Sequence, residues 1–93
     1  MFPLHDQVAL VTGGGRGIGA ATAEALARKG AHASVASRTE SELAITVARL
    51  RSLGLSASTL VLDVADAIAV EMAFTRIGNE FGRLDILVNN AAI

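Results

Sequence analysis

The sequence predicts an α/β fold: a doubly wound parallel sheet, its elements running βαβαβαβ and its four strands ordered 3-2-1-4. Three observations carry this. Short continuous apolar runs alternate with longer stretches whose apolar residues recur at helical spacing. The turns between them are brief and punctuated by glycine, with no linker, repeat or low-complexity segment. The first apolar run enters a glycine-rich turn, Gly13-Gly14-Gly15-Arg16-Gly17-Ile18-Gly19, that opens a helix. Alternation of this kind requires a parallel sheet with right-handed crossovers. Reversal of direction after the third strand then places the third helix on the face opposite the first two.

Gln7 to Thr12 is the first strand, continuous rather than alternating, as a sheet buried on both faces demands. Gly17 to Lys29 is an alanine-rich helix, supported by Glu24 and Arg28 at i,i+4 and closed by Gly30. His32 to Ser37 is a second strand. Thr39 and Glu42 form a capping-box signature. The helix they open places Leu43, Val47 and Leu50 on one face, sets Arg49 and Arg51 near its C-terminal end, and stops at Gly54. Ser58 to Leu62 is a third strand. Asp66 caps a third helix whose stripe is Val70, Ala73, Phe74, Ile77 and Phe81, ending at Gly82; Gly78 inside it costs about 1 kcal/mol relative to alanine. Leu84 to Asn89 is the fourth strand. His5 and His32 have no evident partner and are expected in solvent.

Composition narrows the function classes. The 93 residues make one small domain, yet 52% of them are hydrophobic. Its elements are therefore buried on two sides, or its surplus apolar surface is buried against something else. A net charge of −1 with interspersed signs gives no nucleic-acid or membrane-surface footprint. No cysteine is present, so disulfides and thiolate metal sites are excluded. No apolar run reaches the roughly 18 residues of a membrane span. No secretory signal is visible, and a cytoplasmic location is the expectation.

The glycine turn is the chemical feature. Glycines let backbone approach a pyrophosphate, and the unpaired N–H groups of the new helix point at its charge. Gly15-x-Gly17-x-x-Ala20 meets the general dinucleotide fingerprint by spacing, and the absence of a following Gly-Lys-Ser/Thr disfavours the other kind of phosphate loop. An acidic residue roughly 20 positions after the glycines would favour NAD. That position is Ser37, followed by Arg38: a hydroxyl and a guanidinium suited to a 2′-phosphate.

Thr12-Gly13-x-x-x-Gly17-Ile18-Gly19 resembles the glycine motif of the short-chain dehydrogenase/reductase family, in its N-terminal half. Two further segments match in order. Leu62-Asp63-Val64 is similar to the family's acidic position beside the adenine ring. Asn89-Asn90-Ala91-Ala92 resembles its Asn-Asn-Ala-Gly signature, departing at Ala92, where glycine is usual and an added methyl group would crowd the cofactor but leaves the assignment standing. The lead-in Phe81-Gly82-x-Leu84-Asp85-Ile86-Leu87-Val88 is also family-like, so the resemblance covers essentially all 93 residues.

The resemblance implies a Rossmann-type fold over residues 1–93, the NADP(H)-binding part of such a domain, with the C-terminal catalytic half absent. It implies cofactor contacts from Gly13, Gly15, Arg16, Gly17, Ile18, Gly19, Ser37, Arg38, Asp63, Val64, Asn90, Ala91 and Ala92. Arg16 is similar to the basic residue that reaches the 2′-phosphate in NADP-preferring members, so NADP is expected over NAD. Asp63 also reads as a turn-former, and Asn89 as the asparagine that holds the central strands together. The family's catalytic serine and Tyr-x-x-x-Lys pair have no counterpart here, and the sequence contains no tyrosine. No catalytic residue and no metal ligand is assigned, and no turnover is expected of these residues alone. Two readings follow: the cofactor-binding half of an NADP-dependent oxidoreductase acting on a carbonyl or alcohol, or a non-enzymatic module that binds NADP(H) or assembles with another chain. Self-association, or pairing with a C-terminal half, is expected, because Val8, Leu10, Ile86 and Val88 would otherwise face water.

Overall fold

The computed structural model describes residues 3–90. The elements are β1 (Val8–Thr12), α1 (Gly17–Arg28), β2 (His32–Ser37), α2 (Glu40–Ser52), β3 (Ala57–Val61), α3 (Ala67–Phe81) and β4 (Ile86–Asn89). The four strands are all parallel, in the order β3-β2-β1-β4. β1 is buried along its whole length, which is why it reads as an unbroken apolar run.

Side-chain alternation divides the interior into two layers. Val11, Val35 and Ala57 pack with Ala23 and Ala27 of α1 and with Leu43, Val47 and Leu50 of α2. Val8, Leu10, Ala36 and Leu60 pack on the opposite face with Ala73 and Ile77 of α3. Small residues on α1 let that helix lie close to the sheet. Glu24 also joins the two helices of the first layer: it accepts from Arg28 Nε at 2.9 Å and from Arg49 Nη2 at 2.7 Å. Arg49, expected at a helix C-terminus for its charge, thus bridges to α1.

The cap of α3 is as expected: Asp66 Oδ1 accepts from the N–H groups of Ile68 and Ala69, both at 3.1 Å. The capping box of α2 does not form. Thr39 stands at the N-cap without a side-chain cap bond. Its N–H, which Glu42 would have accepted in the box, donates to Ser37 Oγ at 3.2 Å, and Glu42 turns to Arg16 instead.

Two expectations about exposure are corrected. Val8 and Leu10 are buried beneath α3. In β4, Ala9 is paired with Ile86, Leu10 with Leu87 and Val11 with Val88, so Ile86 and Val88 share the α1 face. Leu87 is the residue left on the α3 side, at 52% exposure, with Phe74 at 39% beside the same groove. The faces of β4 are the reverse of those expected, because a one-residue difference in strand parity exchanges them.

His32 is not in solvent. Its ring is half-buried against Phe81, with centroids 4.4 Å apart, and its nitrogens lie 2.5 Å from Ser56 Oγ and 2.9 Å from Ser58 Oγ. Burial pulls its pKa below the ordinary 6.5, with Arg51 acting in the same direction and Glu80 against it. A histidine neutral in the folded state and protonated more readily when unfolded contributes stability that is complete above about pH 6.5 and is lost as pH falls through the lowered value. Chemical unfolding between pH 7 and pH 5 should show this loss, and His32→Asn should flatten it. An equally steep pH dependence in the variant would place its origin elsewhere. Glu24 and Asp85, whose carboxyls are held below the usual range by arginine partners, lose their contributions only at more acidic pH.

Candidate functional site

The carboxyl ends of the strands open onto a cleft of about 530 Å³, in a sheet whose strand order reverses between β1 and β4. It is lined by Gly13, Arg16, Gly17, Ser37, Arg38, Thr39, Glu42, Leu62, Asp63, Val64, Ala65 and Asn90. Eight of the thirteen expected site residues therefore meet in one place: Gly13, Arg16, Gly17, Ser37, Arg38, Asp63, Val64 and Asn90. Gly15, Ile18 and Gly19 belong to the same loop and helix start without lining the cleft. Ala91 and Ala92 lie outside the described residues.

The loop is shaped by its glycines. Gly13 and Gly17 have φ of 68° and 60°, in the left-handed region that side chains disfavour. Gly19 is required for a different reason: a Cβ there would stand 2.0 Å from the Gly13 carbonyl oxygen. The start of α1 is thereby seated directly on the end of β1. Arg16 occupies the N-cap in extended backbone, makes no side-chain cap bond, and no acidic residue follows in the first turn. The first N–H groups of α1 are left for an anion arriving through the cleft.

Ser37 and Arg38 stand at the end of β2. The Ser37 hydroxyl accepts from Thr39 N and lies 3.4 Å from Thr39 O, so it can turn its proton to a ligand without losing the first bond. Asp63 forms a turn and also borders the cleft. Its Oδ1 accepts from Ala65 N at 2.9 Å, forming a turn toward α3, while the residue lines the cleft.

The β1–β4 seam is held by side chains. Thr12 Oγ1 accepts from Asn90 N at 3.0 Å and lies 3.2 Å from Asn89 Oδ1. At the other end, Asp85 Oδ2 accepts from Val8 N at 2.8 Å and from Arg83 Nε at 2.8 Å.

Two residues escaped the sequence reading. Glu42 places Oε2 3.5 Å from Arg16 Nε, inside the cleft. Thr46, one turn further along α2, donates its hydroxyl to Gly15 O at 3.0 Å. Their spacing of four residues on one helix was the available signal, and the capping-box pattern concealed half of it. Among the described residues, no cluster of three histidines, cysteines or carboxylates could hold a metal ion, and no helix is long and apolar enough to cross a membrane.

A glycine loop at a helix N-terminus, set at the switch point of a parallel sheet, defines a dinucleotide-binding α/β protein of the Rossmann class. The family model for short chain dehydrogenase matches residues 7–93. The short-chain reductase protein NovJ of Streptomyces niveus is 51% identical over 89 residues, covering 96% of this chain and 34% of that protein. A metagenomic short-chain oxidoreductase solved in complex with NADP superposes with a TM-score of 0.94 at 35% identity, covering 98% of this chain and 41% of its own. A short chain dehydrogenase from Burkholderia cenocepacia, also in complex with NADP, gives a TM-score of 0.88 at 44% identity, covering 98% and 38%. The chain belongs to the short chain dehydrogenase family. It spans about a third of the length of the curated relatives it matches.

Proposed function

We propose that this chain forms the NADP(H)-binding half of a short-chain oxidoreductase. In the whole protein, hydride would pass between the nicotinamide and a carbonyl or alcohol substrate. One observation carries the cofactor choice: the end of β2 presents Ser37 and Arg38 rather than a carboxylate, in the same cleft as Arg16. The fit is physical. Gly13 and Gly17 shape the loop, the first turn of α1 offers uncapped N–H groups to the pyrophosphate, and Asp63 with Val64 forms the wall for the adenine. Asn90 borders the approach from β4. The two relatives solved with NADP lend support to this preference.

When bound, the nicotinamide supplies the hydride chemistry. These residues orient the cofactor and bind its charged groups; none of them is assigned a proton-transfer role. Calorimetric titration with NADPH and NADH tests the reading. A charge-assisted contact to the 2′-phosphate is worth about 1.5–3 kcal/mol, so NADPH should bind at least about tenfold more tightly. Equal affinities would remove Arg16 and Arg38 from the role.

The reading extends to association. Leu87 and Phe74 border a groove with Leu10, Leu62, Val64 and Val70 between α3 and β4. Burial of one such large side chain is worth about 1.5–3 kcal/mol. We therefore expect this face to be covered by a second copy or by a further part of the protein. Sedimentation of the 9.5 kDa chain at micromolar concentration should show a larger species, and Leu87→Glu should weaken it. A monomer with a sharp unfolding transition would overturn this expectation.

A further inference from the structure

We infer that Glu42 sets how strongly the chain favours a 2′-phosphate, by competing with that phosphate for Arg16. The inference rests on the NADP(H) reading above and deepens it. Arg16 and Glu42 come from adjoining elements of the cleft wall, the N-cap of α1 and the first turn of α2, and meet at 3.5 Å. The two partners are held unequally. The Arg16 side chain is 85% exposed, whereas that of Glu42 is 33% exposed. The arginine is the partner free to swing.

Glu42 stays because the loop and α2 are fitted together. A Cβ on Gly15 would stand 3.0 Å from Glu42 Cβ, so the loop backbone lies directly against the stem of the glutamate. One turn along, the buried Thr46 hydroxyl holds Gly15 O at 3.0 Å. The stem of Glu42 is therefore fixed against the glycine loop, which keeps its carboxylate at the cleft and within reach of Arg16.

This changes the charge a ligand meets. Four charged side chains line the cleft, Arg16, Arg38, Glu42 and Asp63, and Glu42 offsets the first arginine. A phosphate monoester brings a charge of about −1.5 to −2 and can take Arg16 from a single carboxylate. It must break the pair to do so, and it then lies near the carboxylate left behind. A ribose hydroxyl meets neither cost. Glu42 thus acts on the difference between the two cofactors, as a positioning residue for Arg16.

The test is a cycle of Glu42→Gln, Arg16→Ala and the double variant, each titrated with NADPH and with NADH. Glutamine keeps the shape and removes the charge. Glu42→Gln should tighten NADPH about fivefold to tenfold and raise the NADPH-to-NADH preference by a similar factor. In the Arg16→Ala background the gain should be smaller, because the release of Arg16 no longer contributes and only the repulsion between carboxylate and phosphate is relieved. Distortion of the loop would move both cofactors together and leave the preference unchanged, which would overturn the inference. So would a gain undiminished without Arg16, or no gain at all in a chain that binds NADPH. If the unaltered chain binds neither cofactor, the dinucleotide reading itself fails, and this one with it.

Discussion

Gly19→Ala should destabilise the chain by about 3 kcal/mol or more and remove any binding of a dinucleotide, whereas Gly78→Ala should stabilise it by about 0.5–1 kcal/mol. Both glycines lie inside helices, α1 and α3. By propensity alone, alanine is the better residue at each by about 1 kcal/mol. Space decides otherwise at Gly19. Its added Cβ would stand 2.0 Å from the Gly13 carbonyl oxygen and 2.6 Å from its carbon, and 3.0 Å from Asn90 Nδ2. Two of those atoms are backbone and cannot rotate away, so α1 must lift from the loop. Lifting it displaces the N–H groups that face the cleft and strains the buried first layer. At Gly78 the added carbon meets nothing within 4 Å on an exposed helix face. Unfolding curves of the two variants should shift in opposite directions. A Gly19→Ala variant as stable as the parent chain would mean that the close seating of α1 on β1 is not required.

The same contrast shows where the sequence was informative. Strand order and helix placement follow from apolar periodicity and the handedness of crossovers, both of which are local patterns with one global solution. The glycine loop, Ser37 with Arg38, and the Asp66 cap lie within a few residues of the elements they serve, so spacing alone located them. Glu42 and Thr46 are of another kind. Their partners, Arg16 and Gly15, lie 26 and 31 positions earlier, and no local pattern joins them.

Local reasoning even misdirected the reading of Glu42, because a capping box is satisfied by the same spacing. Ser37 already accepts the N–H that the box would use, and this appears only once β2 and α2 are folded together. His32 shows the same limit. An isolated imidazole in a sequence has no address, and its serines and Phe81 arrive from the β2–β3 pairing and from the end of α3. The faces of β4 were misassigned because a strand of four residues, all but the last of them apolar, carries no alternation to read.

Replacing Ser37 by Asp together with Arg38 by Ala should reverse cofactor preference, with NADPH binding weakened by about 2–4 kcal/mol and NADH binding held or improved. Position 37 ends β2, paired with Val61, and its side chain already accepts from Thr39 N at 3.2 Å. An aspartate can keep that acceptor role with one oxygen and offer the other to a ribose diol, so the turn into α2 survives the change. Gly15 leaves the space: its missing Cβ would have stood 3.3 Å from Ser37 Oγ. Against a 2′-phosphate the same carboxylate is a like charge at close range, in a cleft that already holds Glu42 and Asp63. Removing Arg38 takes away a cation, and Arg16, paired with Glu42 at 3.5 Å, offsets that loss only in part. The two substitutions act on the same phosphate, so their effects should not sum, and each single variant should weaken NADPH by more than half of the double variant's loss. Calorimetric titration of the three variants with both cofactors measures this directly. Retention of the NADPH preference in the double variant would show that the end of β2 does not choose the cofactor, and would leave Arg16 and the α1 N-terminus to account for it.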